Sequence, residues 1–169
     1  MRPRTDFPKD LFYFHRHDPG TGPLSDQEWK LMFEAYIVSI NDSSSPSYSE
    51  FFDMGRADPK VFYSGTNRQY NITFFLVGLN QQEHKDNHDN HLAKLGRMTY
   101  PIYQSGNGYN SPHVLMQIGN LFKGYGVIRN LTYDWKAETP WVDNRPLYTD
   151  TSLTFKVLAN SQGRRPDAR

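Results

Sequence analysis

The sequence predicts a mainly β (α+β) protein, an antiparallel barrel or sandwich of about six or seven strands with one flanking helix. Three observations predict it. Phe33, Ala35 and Ile37, and again Tyr70, Ile72, Phe74 and Leu76, recur with the two-residue period of a strand. Aromatic residues make up 15% of the chain, with 11 Tyr and 11 Phe on an otherwise polar background, and such residues favour strands and protein interfaces. One segment, from Asn80 to Arg97, has helical spacing, and strands lie in runs on either side of it. A doubly wound sheet would need helices between successive strands.

Taken in order, residues 1–30 read as a partly extended N-terminal arm. Its start is charged and carries Pro3 and Pro8, and the aromatic patch Leu11–His15 ends in the turn-rich HDPGTGP. The sequence SDQE at 25–28 has the form of a helix cap, which leaves the start of the next element open. Residues 32–40 alternate as a strand. SINDSSSPSYSEFF, from Ser39, reads as a serine-rich linker loop, and DMGRADP as a turn. KVFYSG leads into a second strand, and Asn67–Leu79 is the clearest strand of the chain, apolar on both faces toward its end and therefore covered on both sides there. Asn80 caps the helix, with Glu83 three residues on. Gly96 and Pro101 mark its end. SGNGYNSP is a loop. HVLMQIGNLF and YGVIRNLTYDW form a hairpin turning near Lys123–Gly124, ETPWVDNRP is a loop, and Thr151–Ala159 is the closing strand. The β domain spans 31–159, and 160–169 is a basic flexible tail.

The totals narrow the function. Lys plus Arg is 19 against 18 for Asp plus Glu, which gives no field for nucleic acid or an anionic membrane. The absence of cysteine removes disulfides, thiol nucleophiles and Cys-type zinc sites together. No run approaches the ~18 apolar residues that span a bilayer, and the N-terminus lacks the apolar segment of a signal peptide. The Asn-x-Ser/Thr matches at Asn41, Asn71 and Asn130 are then chance, and the chain reads as a soluble protein made in a cytoplasm with no membrane insertion.

Histidines are the most suggestive chemistry. His84, His88 and His91 lie four and three residues apart on one helical face, the spacing at which paired histidines bind zinc. At ~1.5 Å per residue, however, His84 and His91 stand about 10 Å apart, too far for one ion with zinc–nitrogen bonds near 2 Å. The same stripe continues through Leu95 and Met98, so His84, His88, His91, Leu95 and Met98 read as a packing or subunit-contact face. Other patterns carry less. GNLFKGYG matches neither a Walker loop nor GxGxxG and reads as a hairpin turn. No serine has a base beside it, and no carboxylate pair stands out. No catalytic residue, metal or cofactor is therefore assigned. The basic ends, Arg2, Arg4, Arg164, Arg165 and Arg169, remain open between phosphate contacts and solvent.

Several stretches, read in order, resemble one family. They are DMGRADPKVFYSGTNRQYNITFFL, LGRMTYPIY after the helix, SPHVLMQIGNLFKGYGVIRNLTYDW and PLYTDTSLTFKVL. Together they are similar to the tail-tube fold of contractile phage tails and related injection systems, most of all to baseplate tube-initiator proteins. The matching positions are Gly55, Arg56, Asp58 and Pro59 in a turn before a strand pair, then Leu95, Tyr100 and Pro101 after the helix. Pro112 and Gly119 follow in one strand, and Val127, Ile128 and Asp134 in the next. The resemblance covers roughly residues 33–158. It implies a virion structural protein that forms a six-fold ring of the tail tube or its baseplate-proximal initiator, templates tube growth and conducts DNA without holding it. Implied partners are further copies, the tail tube or a second initiator ring, the baseplate hub, the tape measure protein and transiently passing DNA. The implied place is the virion tail, assembled in the host cytoplasm, and no enzymatic activity is implied. Two other readings stand beside it: a metal-dependent enzyme using His84, His88 and perhaps His113, and a carbohydrate-binding β domain of a tail fibre.

Overall fold

The computed structural model describes residues 9–18, 22–23, 29–52, 54–55, 58–78, 80–104, 108–110, 112–136 and 138–158. Eleven strands appear among them. β1 is Lys9–Asp18, β2 Gly22–Pro23, β3 Lys30–Phe51, β4 Lys60–Val77, β5 Ile102–Gln104 and β6 Gly108–Asn110. β7 is His113–Ile118, β8 Phe122–Asp134, β9 Trp141–Val142, β10 Arg145–Pro146 and β11 Tyr148–Val157. The large sheet runs β2-β1-β3-β4-β11-β8-β7, and β7 also pairs with β1. That last pairing closes six antiparallel strands into a barrel, with β2 hanging from β1. Closure removes the barrel's free edges, so the expected mainly β fold with one helix is found in its barrel form.

Alternation fixes which residues fill it. Phe12, Phe14, Phe33, Ile72, Phe74, Met116, Leu153 and Phe155 all point inward and are buried. Four phenylalanines form the centre: the Phe12 ring lies 5.4 Å from Phe33 and 4.7 Å from Phe74, and Phe14 lies 6.1 Å from Phe33. Such offset aromatic pairs add about 0.5–1.5 kcal/mol each beyond the area they bury.

The N-terminal arm expected over 1–30 is corrected here. Residues 9–18 form the strand that closes the barrel, paired to β3 from Lys9↔Tyr36 to His15↔Lys30 and to β7 from Phe12↔Ile118 to His17↔His113. The physical reason is the alternation of Phe12, Phe14 and Arg16, all fully buried, which a stretch of only ten residues beside prolines disguised. The 160–169 tail lies outside the described residues, as does SDQE at 25–28.

The serine-rich loop is also corrected. Ser43, Ser44, Ser45, Ser47 and Ser49 all lie in β3, paired residue by residue with β4, which itself runs unbroken through KVFYSG into the expected strand. Serine has little strand preference of its own, so pairing with β4 overrides it. β-Bulges between Ile37 and Ser39 and between Ser47 and Tyr48 add local twist. At the shared end of β3 and β4, Gly55 takes a φ of 86°, a left-handed conformation open to glycine.

The β7–β8 hairpin turns at residues 119–121 instead of Lys123–Gly124, because Gly119, at φ 45°, supplies the left-handed residue. Gly124 sits inside β8, opposite Met116. Two expected loops contain small hairpins: β5 pairs with β6, and β9 pairs with β10 around Asp143 and Asn144, at φ 51° and 59°. Positive φ at both central residues is the signature of a type I′ turn, to which Asp and Asn adapt well.

The helix begins where expected. Asn80 Oδ1 accepts a hydrogen bond from the Glu83 amide at 2.8 Å. The helix then runs as three joined segments, α-helical Gln81–Asp86, π-helical Asn87–Leu92 and α-helical Ala93–Arg97. It closes one end of the barrel. Leu92, Leu95 and Met98 enter the same core as the strands, and polar contacts tie it to strand ends, among them the Arg145–Asp89 ion pair at 2.8 Å. Tyr133, late in β8, donates to the Leu92 carbonyl at 2.8 Å. His88 Nε2 lies 2.9 Å from the carbonyl of Pro146 in β10. Arg16, late in β1, reaches the Arg97 carbonyl at 3.5 Å while its guanidinium lies 4.9 Å over the Trp29 ring. A cation at a helix C-terminus meets the negative end of the helix dipole. Burial nevertheless lowers the Arg16 pKa from its ordinary value, and its Nη2 has no hydrogen-bond partner among the described residues.

A candidate assembly surface on the projecting ribbon

At the barrel end away from the helix, β3 and β4 continue past their neighbours. Among the described residues β1 stops pairing with β3 at Tyr36, and β11 stops pairing with β4 at Arg68. Beyond Ser44↔Arg68, the pairs from Ser45↔Asn67 to Phe51↔Lys60 form a two-stranded ribbon. Seven residues at ~3.3 Å each carry it about 23 Å out from the barrel.

At its root Asp42 and Arg68 make a two-pronged pair at 3.0 and 2.6 Å, and the Arg68 guanidinium lies 5.1 Å over the Tyr70 ring. The hydrogen bonds from Arg68 hold the Asp42 carboxyl below its usual pKa. Both side chains are over a third exposed, so solvent screening keeps the pair within about 1 kcal/mol. Directly opposite residues share a face. One face of the ribbon carries Tyr48 against Tyr63, at 5.9 Å, and Glu50 against Val61. The other carries the neutral Ser43, Ser45 and Ser47 against Gln69, Asn67 and Gly65, and ends in Phe51 and Phe62 at 5.7 Å. Phe52 and Met54 follow at the tip, 70% and 103% exposed. A lone two-stranded hairpin is marginal in water. Among the described residues both edges of this one are unpaired, and large apolar side chains at its end lie in solvent.

The helix face does less than its spacing suggested. Leu95 and Met98, expected either in packing or at a subunit contact, are 0% and 1% exposed and belong to the chain's own core. Of the two alternatives, these residues take the first, packing within the barrel core. His91 stacks on Phe33 at 5.4 Å and its Nδ1 lies 3.1 Å from Asn87 Oδ1. Burial lowers its pKa first of all, against a raising effect of Asp86 and with a lowering one of Lys94. His88 turns instead to Pro146. The widened π turn between them breaks the regular stripe that a uniform α-helix would give. The His84 side chain lies outside the described residues. His113 is on β7, against Tyr125 at 5.3 Å and paired across to His17, so it belongs to the barrel wall and not to the helix. Among the described residues no group of three His, Asp or Glu is placed to hold a metal ion, and no helix is long and apolar enough to cross a membrane.

The positions that carry the family resemblance divide by place. Gly55, Asp58 and Pro59 stand at the ribbon tip, and Arg56 lies outside the described residues. Leu95 and Ile128 are core, Val127 and Pro112 are half-buried, and Tyr100 is exposed beside Pro101. Gly119 makes its turn with the Asp10 carboxylate so close that an added Cβ would meet it at 2.3 Å. Asp134 ends β8 and lies 3.8 Å from Lys136. The ribbon is hidden in the sequence because serines mask its strand. The signal that would have found it is the even supply of aromatics at 48–63 on both sides of a Gly turn. The sequence matches no protein-family model and no curated protein.

Proposed function

We propose that this chain is a structural subunit of a phage tail: one of six in a ring of the tail tube or of its baseplate-proximal initiator, serving as template for tube growth and as conduit for DNA. One observation carries the reading. Among the described residues the six barrel strands close on one another, yet a ribbon about 23 Å long projects from them, with Phe52 and Met54 exposed beside Asp58 at its tip. That is the construction of a part whose fold is complete but whose surface is not, and repeated contact between copies would cover it. The near-balance of charge, 19 basic against 18 acidic residues, suits a channel that passes DNA, since strong phosphate contacts would hold it. The tail tube or a second ring, the baseplate hub and the tape measure protein are the partners this reading requires, with assembly in the host cytoplasm. Imaging of the native particle tests it. Six-fold density with this barrel around a channel is expected, and finding the chain only as isolated monomers, in the particle as in solution, would end the reading.

A further inference from the structure

We infer that the ribbon tip of one copy docks into a shallow pocket on the barrel wall of the next. The inference rests on the ring reading above and specifies its contact. Five aromatics and two aliphatic side chains between residues 48 and 63 are seven of the fifteen exposed large hydrophobic groups among the described residues. At 150–250 Å² per aromatic, and more than half exposed, those aromatics alone present on the order of 600 Å². Summed over both faces, with Tyr48, Val61 and Tyr63 on one and Phe51 and Phe62 on the other, and with Met54 at the tip, the apolar surface approaches the ~800 Å² that one partner contributes to a standard interface.

A receptor exists on the same chain. Leu11, Tyr13, Met32, Gln117 and Gly119 line a pocket of about 230 Å³ on the outer wall of β1, β3 and β7. It is smaller than the roughly 300–1,000 Å³ of small-molecule clefts, which suits a side chain better than a ligand. Among the described residues its lining side chains are uncharged, with the Asp10 carboxylate against Gly119, and Leu11 and Met32 are 42% and 62% exposed. Phe52 and Met54 at the tip are likewise uncharged. Tip and pocket cannot meet within one chain, because the ribbon leaves the barrel and the pocket lies in its wall among paired rungs, Leu11↔Glu34 and Tyr13↔Met32. The contact is therefore head-to-tail between copies, the kind that closes into rings or extends as filaments. The occupant is a second copy of this chain.

The full chain tests this in three forms: wild type, a tip variant Phe52→Ser with Met54→Ser, and a pocket variant Met32→Glu. All three altered side chains are exposed, so each variant should keep the wild-type circular dichroism and melting profile. Sedimentation velocity is then read on each alone and on a mixture. The expected result is that wild type self-associates, each variant alone is weakened by at least about tenfold, the equivalent of ~1.4 kcal/mol, and the mixture forms a 1:1 pair that grows no further. Only one tip and one pocket remain intact in that pair, so a merely structural role for either site would not produce it. Wild type that assembles while either variant assembles equally well overturns the tip–pocket contact and leaves the ring reading standing. A mixture that forms no pair while wild type assembles overturns it too. Wild type that stays monomeric at every concentration overturns the tip–pocket contact, and the ring reading falls with it only where the native particle also holds the chain as isolated monomers.

Discussion

The hydroxyl of Tyr133 donates to the carbonyl of Leu92 at 2.8 Å, joining the end of a barrel strand to the π turn of the helix that closes the barrel. Burial raises the Tyr133 pKa well above its ordinary value, so the phenol stays protonated and remains a donor. Tyr133→Phe keeps the ring and leaves a part-buried carbonyl without this donor. Such a loss costs about 1–3 kcal/mol. For a chain of this length each kcal/mol lowers the melting temperature by roughly 2–4 °C. Thermal unfolding checks it, and an unchanged melting point would show that water replaces the hydroxyl without loss.

Two glycines should respond to the same substitution with opposite signs. A Cβ on Gly96, within the helix, would meet Tyr133 Oη at 3.6 Å, an ordinary contact. Gly96→Ala should therefore be neutral or stabilising by up to about 1 kcal/mol, the helix-propensity difference. A Cβ on Gly126 would meet the Lys156 carbonyl at 2.1 Å and the Phe155 ring at 2.8 Å, beside the register shift between Thr154 and Phe155. Backbone on a paired strand cannot yield easily, so Gly126→Ala should cost at least about 1–3 kcal/mol. Denaturant titration of both variants measures the contrast.

Stability should also fall in mild acid. Burial depresses the pKa of His91, stacked on Phe33, below the ordinary 6.5, and burial followed by His15 does the same to His17. The folded state thus binds these protons less readily than the unfolded chain. Stability is then level above the unfolded pKa, about 6.5, and declines as pH falls from there toward the lowered folded values. His91→Gln should flatten part of that decline and leave the part due to His17. A stability profile with no slope below pH ~6.5 would show that neither ring is penalised for its charge.

The sequence made the barrel's inner face legible wherever alternation ran long enough, as from Tyr70 to Leu76, and the Asn80 cap was legible because its chemistry is local. β1 was not. Its alternation occupies only Phe12, Phe14 and Arg16, and the third of these is a cation, which no pattern of hydrophobicity assigns to a core. It is held there by Trp29 and the Arg97 carbonyl, contacts between residues far apart in the chain. The ribbon was hidden for the opposite reason: serines at 43–49 speak locally for a loop, while their pairing depends on β4. The helix histidines shared a face only on regular α-helical geometry, and the π segment Asn87–Leu92 is a tertiary adjustment.

Ribbon order should depend on assembly. The paired segments 45–51 and 60–67 have no third strand among the described residues and no buried side chain. Their root is held by the screened Asp42–Arg68 pair, whose loss in Asp42→Asn should cost less than about 1 kcal/mol. Segments with few buried contacts open at low free energy. In the separated chain, ribbon amides should therefore exchange with solvent much faster than those of β11, which is flanked by strands on both sides from Asp150 to Val157. Once copies associate and the ribbon is covered, the same amides should slow by an order of magnitude or more, since each ~1.4 kcal/mol of added protection is tenfold. Hydrogen exchange read by mass spectrometry at low and high protein concentration makes the comparison within one sample. Ribbon amides that exchange equally fast in both states would mean that association uses another surface.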